Sequence, residues 1–150
     1  MIWQLIAAFC SGTFAGAALY ISAVEHPARL ECGTPLALRE FAPSYRRATV
    51  MQASLAAVGC LAAAAAWSTG RGSLCLLGAI LLGSVIPFTL IVILPTNKRL
   101  LDPSLDPQSR EAAELLRRWG RLHAVRSVLG AASFLSLIVP VVTVPAMLLA

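Results

Sequence analysis

The chain has 150 residues, enough for one domain, of which 58% are hydrophobic and only 13% charged. Soluble domains carry about 25% charged residues, so a water-facing shell cannot be built here and lipid must cover much of the surface. The net charge of +5 comes without a basic helix face or an aromatic stacking platform, which argues against a nucleic-acid partner.

Apolar runs stand at about 2–24, 48–67, 74–94 and 124–150. Each reaches the roughly 20 residues that cross a hydrocarbon core about 30 Å thick. A charge at a helix centre costs about 2.5–3.5 kcal/mol. The first three runs carry none, and the fourth is free of charge from Ser127 onward, with Arg126 at its threshold. The pattern predicts a single all-α domain, an integral membrane four-helix bundle. The N-terminus lacks the basic stretch of a signal peptide, and its apolar run is too long for one, so it reads as a retained helix.

Within the first run, Ala8, Gly12 and Gly16 recur every four residues, a stripe that lets helix backbones approach closely in lipid. Pro87 is expected to bend the third helix, and Pro140 and Pro145 to disturb the fourth. Of the four cysteines, Cys10 and Cys60 sit in apolar runs, and no CxxC spacing occurs, so no disulfide framework is implied.

The connections are unequal. Residues 25–47 and 95–126 hold eleven of the twelve Lys and Arg residues and all seven acidic ones, whereas 68–73 holds only Arg71. After four crossings the two long connections share one side. The positive-inside rule puts them in the cytoplasm and both termini outside, in what would be a bacterial inner membrane. Cys32 and Cys75 are natural reporters of that topology. Thr34-Pro35 reads as the start of a short helix, 36–41, and Pro43 as the start of the second membrane helix. Asp106-Pro107 signals another start, and 111–122 reads as an amphipathic interfacial helix running on into the fourth membrane helix.

Polar and aromatic residues converge at the charged end. The first helix ends in Glu25-His26. Tyr45, Thr49 and Gln52 share one face of the second. The third exits through Thr96-Asn97-Lys98, and the fourth enters with Trp119, His123 and Arg126 on one face. In an antiparallel bundle these would line one pocket, with Glu25 and Arg126 as the expected charge pair.

Histidine suits acid–base work because its unperturbed pKa is about 6.5, so His26 and His123 are candidate bases, with Glu25 and Tyr45 beside them. Gln52, Asn97, Trp119 and Arg126 are candidates for substrate binding. Two histidines and a carboxylate also compose a metal triad or a haem site, but no HxxxH or ExxH spacing supports either, and no metal or cofactor is specified. The plain alternatives are interfacial histidines, a belt tyrosine and arginine pairs that set topology and meet anionic lipid. No Walker loop, GxGxxG or GxSxG is present, and no carboxylate lies at mid-membrane.

Pro95-x-Asn97, Trp119-x3-His123-x2-Arg126, Val24-Glu25-His26-Pro27 and the 45–52 segment together resemble the four-helix membrane proteins grouped with fungal anthrone oxygenases. The likeness extends over nearly the whole chain and is nearer to bacterial members. It implies oxygenation of a lipophilic aromatic or quinone-like molecule without a recognised cofactor. In that chemistry His26 or His123 would remove an acidic proton, Arg126 and Asn97 would hold the oxyanion, and Trp119 would stack on the rings. The competing expectation is a non-catalytic module that binds lipid or a partner protein through its charged connections; a homo-oligomer is open under either reading.

Overall fold

The computed structural model describes residues 1–148, with side chains described to residue 142. Pro145 and the end of the fourth apolar run lie beyond the described side chains. Among the described residues every regular element is helical. The elements are α1 (Ile2–Tyr20), a π-turn (Ile21–Glu25), α2 (His26–Glu31), α3 (Thr34–Ser68), α4 (Ser73–Phe88), a second π-turn (Thr89–Ile93), α5 (Leu94–Leu100) and α6 (Arg110–Leu148).

Four continuous spans result, Ile2–Glu31, Thr34–Ser68, Ser73–Leu100 and Arg110–Val142, each long and apolar enough to cross a membrane. They form a four-helix membrane bundle in which each span packs on its neighbours in sequence and the first packs on the fourth. Burial runs along α6 through Ala112, Leu116, Trp119, His123, Ser127, Ser133 and Leu137, the stripe that faces the bundle axis. The opposite faces present Phe9, Leu61, Ile91 and Val128, each more than 60% exposed, as a hydrocarbon-facing surface.

At about 1.5 Å per residue, spans of 28–35 residues outrun a core about 30 Å thick. The long connections are therefore largely helix, and the spans exceed the apolar runs at their charged ends. The first and second spans meet in a two-residue turn, Cys32-Gly33, where Gly33 takes φ +87°. That left-handed backbone is open to glycine at no steric cost. Gly72 plays the same part, with φ +89°, before α4.

The proposed short helix over 36–41 is the first part of α3, and Pro43 lies inside α3 instead of opening a helix. Buried Ala37 and Phe41 precede Pro43, and half-buried Tyr45 and buried Gln52 follow it on the same face. Packing on both sides thus holds the helix through the proline. The 111–122 segment is continuous with the fourth span, as expected, but the helix starts at Arg110. There Ser109 Oγ accepts the Ala112 amide at 3.1 Å, while Asp106 accepts the Gln108 amide at 2.9 Å in the turn before it. In the same turn Asp102 accepts the Ser104 hydroxyl and amide and an Arg99 guanidinium contact, which together hold its carboxyl below the usual range.

Two prolines shape the functional end. Each proline ring presses on the carbonyl four residues before it, Ala23 for Pro27 and Ile91 for Pro95. Both carbonyls lie within the π-turns, where the wider winding relieves the clash. Helix α4 continues through Pro87, and the backbone departs from α-geometry only at Thr89.

Close packing rests on glycines. A Cβ at Gly59 would lie 2.7 Å from Leu82 and 2.9 Å from Cys10, and one at Gly130 would lie 2.7 Å from Phe14. The Ala8–Gly12–Gly16 stripe is only partly a contact. Ala8 is buried and a Cβ at Gly12 would lie 3.0 Å from Phe134, but Gly16 faces open space.

Candidate active site

Helix α6 contributes Trp119, His123 and Arg126, spaced so that all three project toward the bundle axis. Helix α3 contributes Phe41, Ser44, Tyr45, Thr49 and Gln52, and α5 contributes Asn97. The first span adds Ile21 and Arg29. Together they line a cleft of about 30 Å³, which is space for about two waters. Six of the eight candidates meet there: Tyr45, Gln52, Asn97, Trp119, His123 and Arg126.

One wall is aromatic. The Trp119 ring lies 5.0 Å from His26 and 4.8 Å from His123, centroid to centroid. Phe41 meets Trp119 edge-on at 5.3 Å and stacks on Tyr45 at 5.7 Å. The Arg29 guanidinium sits 5.9 Å from the Trp119 centroid, within cation–π reach.

The other wall is polar. Arg126 Nη2 donates to Gln52 Oε1 at 2.8 Å, and its guanidinium lies 5.7 Å from the Phe14 ring. Its Nε is buried without a hydrogen-bond partner among the described residues, as are Gln52 Nε2, Asn97 Oδ1, Thr96 Oγ1 and both ring nitrogens of His26. Buried polar groups are nearly always partnered, so this concentration of free groups at one level of the bundle points to a ligand or ordered water.

The expected Glu25–Arg126 pair does not form. Glu25 bonds Arg29 one helical turn further on and accepts from Ser44 Oγ at 3.0 Å, while Arg29 also pairs with Glu40. The i,i+4 spacing makes Arg29 the nearer partner for Glu25, and Arg126 is left with no carboxylate among the described residues. Glu25 accordingly lies beside the cleft, not in its lining. His26 packs behind Trp119, tight against α6, since a Cβ at Gly120 would come within 2.5 Å of its Nε2.

His123 is held differently. Its Nδ1 lies 3.0 Å from Ser22 Oγ, which lies 2.8 Å from Ser127 Oγ. Among the described residues no three His, Cys, Asp or Glu side chains converge in a way that could hold a metal ion. Cys75, named above as a topology reporter, is buried, whereas Cys32 is exposed.

Sequence reasoning missed Phe41, Arg29, Ser44 and Ser22. The Glu25-x3-Arg29 spacing was a readable signal. The serines carried none, because their role depends on which helix faces which.

Outside the cleft, a groove of about 510 Å³ runs between the first two spans, lined by Tyr20, Pro43, Arg47 and Met51 among others. Ile21, Ser44 and Ala48 line both cavities and form the wall between them.

The fold and site together define a four-helix membrane protein with a buried aromatic and cationic cleft at its charged end. The chain matches the anthrone oxygenase family over residues 41–136, and it belongs to that family. It is 31% identical over 138 residues to the anthrone oxygenase tpcL of Aspergillus fumigatus, a match covering 85% of this chain and 86% of the relative. No solved structure matches it.

Proposed function

We propose that the chain is a membrane oxygenase that converts an anthrone-like, lipophilic aromatic substrate to the corresponding quinone with molecular oxygen. The observation that carries this reading is Arg126, a half-buried side chain with its Nε buried and no carboxylate partner among the described residues, beside an imidazole and an indole in one cleft. A buried cation is costly in a membrane and is retained where it serves function. An anthrone that loses a methylene proton places negative charge on its oxygen, and Arg126 supplies the matching charge.

The chemistry balances without a further reductant. A base takes one methylene proton and leaves an aromatic oxyanion with carbanion character at the same carbon. That carbon reacts with dioxygen to give a hydroperoxide. Loss of the second methylene hydrogen as a proton, with cleavage of the O–O bond, yields the quinone carbonyl and one water. His123 lines the cleft and serves as the base, Arg126 holds the oxyanion, and Trp119 flanks the rings. Asn97 lends its amide N–H. A tricyclic ring exceeds the cleft of about 30 Å³, so the substrate puts its oxygen end there and its rings toward the groove of about 510 Å³. Exposed Tyr20 and Met51 line the groove beside Glu40 and Arg47, and a lipophilic substrate would enter on their side. We further propose that the cleft lies at the cytoplasmic end, following the charge bias.

The test is anthrone oxidation by detergent-purified protein, followed by quinone absorbance and oxygen uptake against spontaneous oxidation. The expected result is turnover that falls about 10²–10⁴-fold in His123→Ala. A wild-type rate equal to the protein-free rate would overturn the reading.

A further inference from the structure

We propose that Ser22 and Ser127 are positioning residues that fix the tautomer of His123, so that its Nε2 carries the lone pair that accepts the substrate proton. This rests on the acid–base reading above. The argument is a count of protons. A serine hydroxyl has one proton to give and a carbonyl has none. Ser127 Oγ donates to the Ala18 carbonyl at 2.9 Å, with the His123 carbonyl 3.3 Å away as a second acceptor. With two carbonyl acceptors in reach, Ser127 gives its proton to a carbonyl in the arrangement proposed. The 2.8 Å link between the two hydroxyls then requires Ser22 to donate to Ser127. Ser22 has no second proton, so across the 3.0 Å contact His123 Nδ1 must be the donor.

A neutral imidazole with its proton on Nδ1 bears its lone pair on Nε2. That nitrogen takes no hydrogen bond among the described residues, and the ring lines the cleft. Backbone geometry supports the same chain of bonds. Ser22 stands in the first π-turn, where the Ile21 amide is shared between the Ala17 and Ala18 carbonyls, and Ser127 supplies Ala18 with a donor from across the interface. Ser127 is 2% exposed, so no bulk water substitutes for it. His26 has no such device, since no side-chain hydroxyl bonds either of its ring nitrogens among the described residues. The structure thus separates the two histidines, with His123 oriented for proton transfer and His26 packed.

The experiment is nitrogen-15 NMR of the full-length protein, histidine-labelled in detergent micelles. The chain has two histidines, and a His26→Gln sample identifies the signals of His123. The expected result is a single His123 tautomer with the proton on Nδ1. In Ser127→Ala, Ser22 is free to donate to Nδ1, the ring proton moves to Nε2, and anthrone turnover falls about 10²-fold or more. A wild-type His123 protonated on Nε2, or a tautomer unmoved in Ser127→Ala, would overturn the proposal. The wild-type spectrum decides even where the variant does not fold. The two readings also fail separately. Turnover with the opposite tautomer removes the serine relay alone, and the expected tautomer without turnover removes the oxygenase reading alone.

Discussion

Arg126 is the residue at which function and stability pull apart. Its half-buried guanidinium lies over the Phe14 ring and, among the described residues, bonds Gln52 alone. A charge at the threshold of a membrane helix costs less than the roughly 2.5–3.5 kcal/mol of one at its centre, but it is still a cost, and no carboxylate among the described residues offsets it. Arg126→Gln is expected to lower anthrone turnover about 10²–10³-fold, the usual effect of losing one oxyanion donor. The same variant should unfold at an unchanged or higher temperature, measured by circular dichroism in detergent. A fall in both together would mean that Arg126 is structural. Gly120→Ala asks a parallel question of His26, whose ring fills the space a Cβ would take. Displacing that ring disturbs Trp119, its neighbour at 5.0 Å, so turnover should fall while the His123–Ser22 contact persists. At this scale Tyr45, Gln52, Asn97, Trp119, His123 and Arg126 were legible, because polar and aromatic residues at an apolar threshold demand an explanation. The partner of Glu25 was misread, since a local i,i+4 arginine satisfies a carboxylate before a distant one can.

At the scale of elements, the length of the apolar runs and their lack of charge located every span, but their ends were not legible. The sequence placed a separate short helix at 36–41 and a new start at Pro43, whereas the structure runs one helix through Pro43; the 111–122 helix joins the fourth span as expected, from Arg110. Phe41, Leu116 and Trp119 pack into one cluster at the charged end, and that burial outweighs the local break signals. Two element-scale predictions follow from the packing. Gly130→Val drives a branched side chain onto Phe14, which is fully buried, and should destabilise the bundle by about 1–3 kcal/mol in a reversible denaturation assay in detergent. Ala48→Trp fills the wall shared by the cleft and the outer groove. If substrate passes there, KM should rise at least about tenfold with the unfolding temperature little changed; an unaltered KM would place the route elsewhere.

The whole molecule concentrates charge, π-turns, aromatic wall and cleft at one end, and leaves the other to alanine and glycine packing around Ala62, Ala63, Ala66 and Gly78. That polarity was readable as eleven basic residues against one, and it makes orientation in the membrane a testable property. Cys32 is the suitable probe because it is exposed in the turn between the first two spans, while Cys10 and Cys75 are buried and Cys60 is half-buried. If the positive-inside rule governs insertion, an impermeant maleimide should leave Cys32 unlabelled in intact cells and label it once the membrane is opened. A cysteine introduced at exposed Thr69, in the opposite turn, should show the reverse pattern. Labelling of Cys32 from outside would turn the cleft toward the outer face. The groove between the first two spans would still open laterally, so a lipophilic substrate could still reach it, but the quinone would leave on the other side.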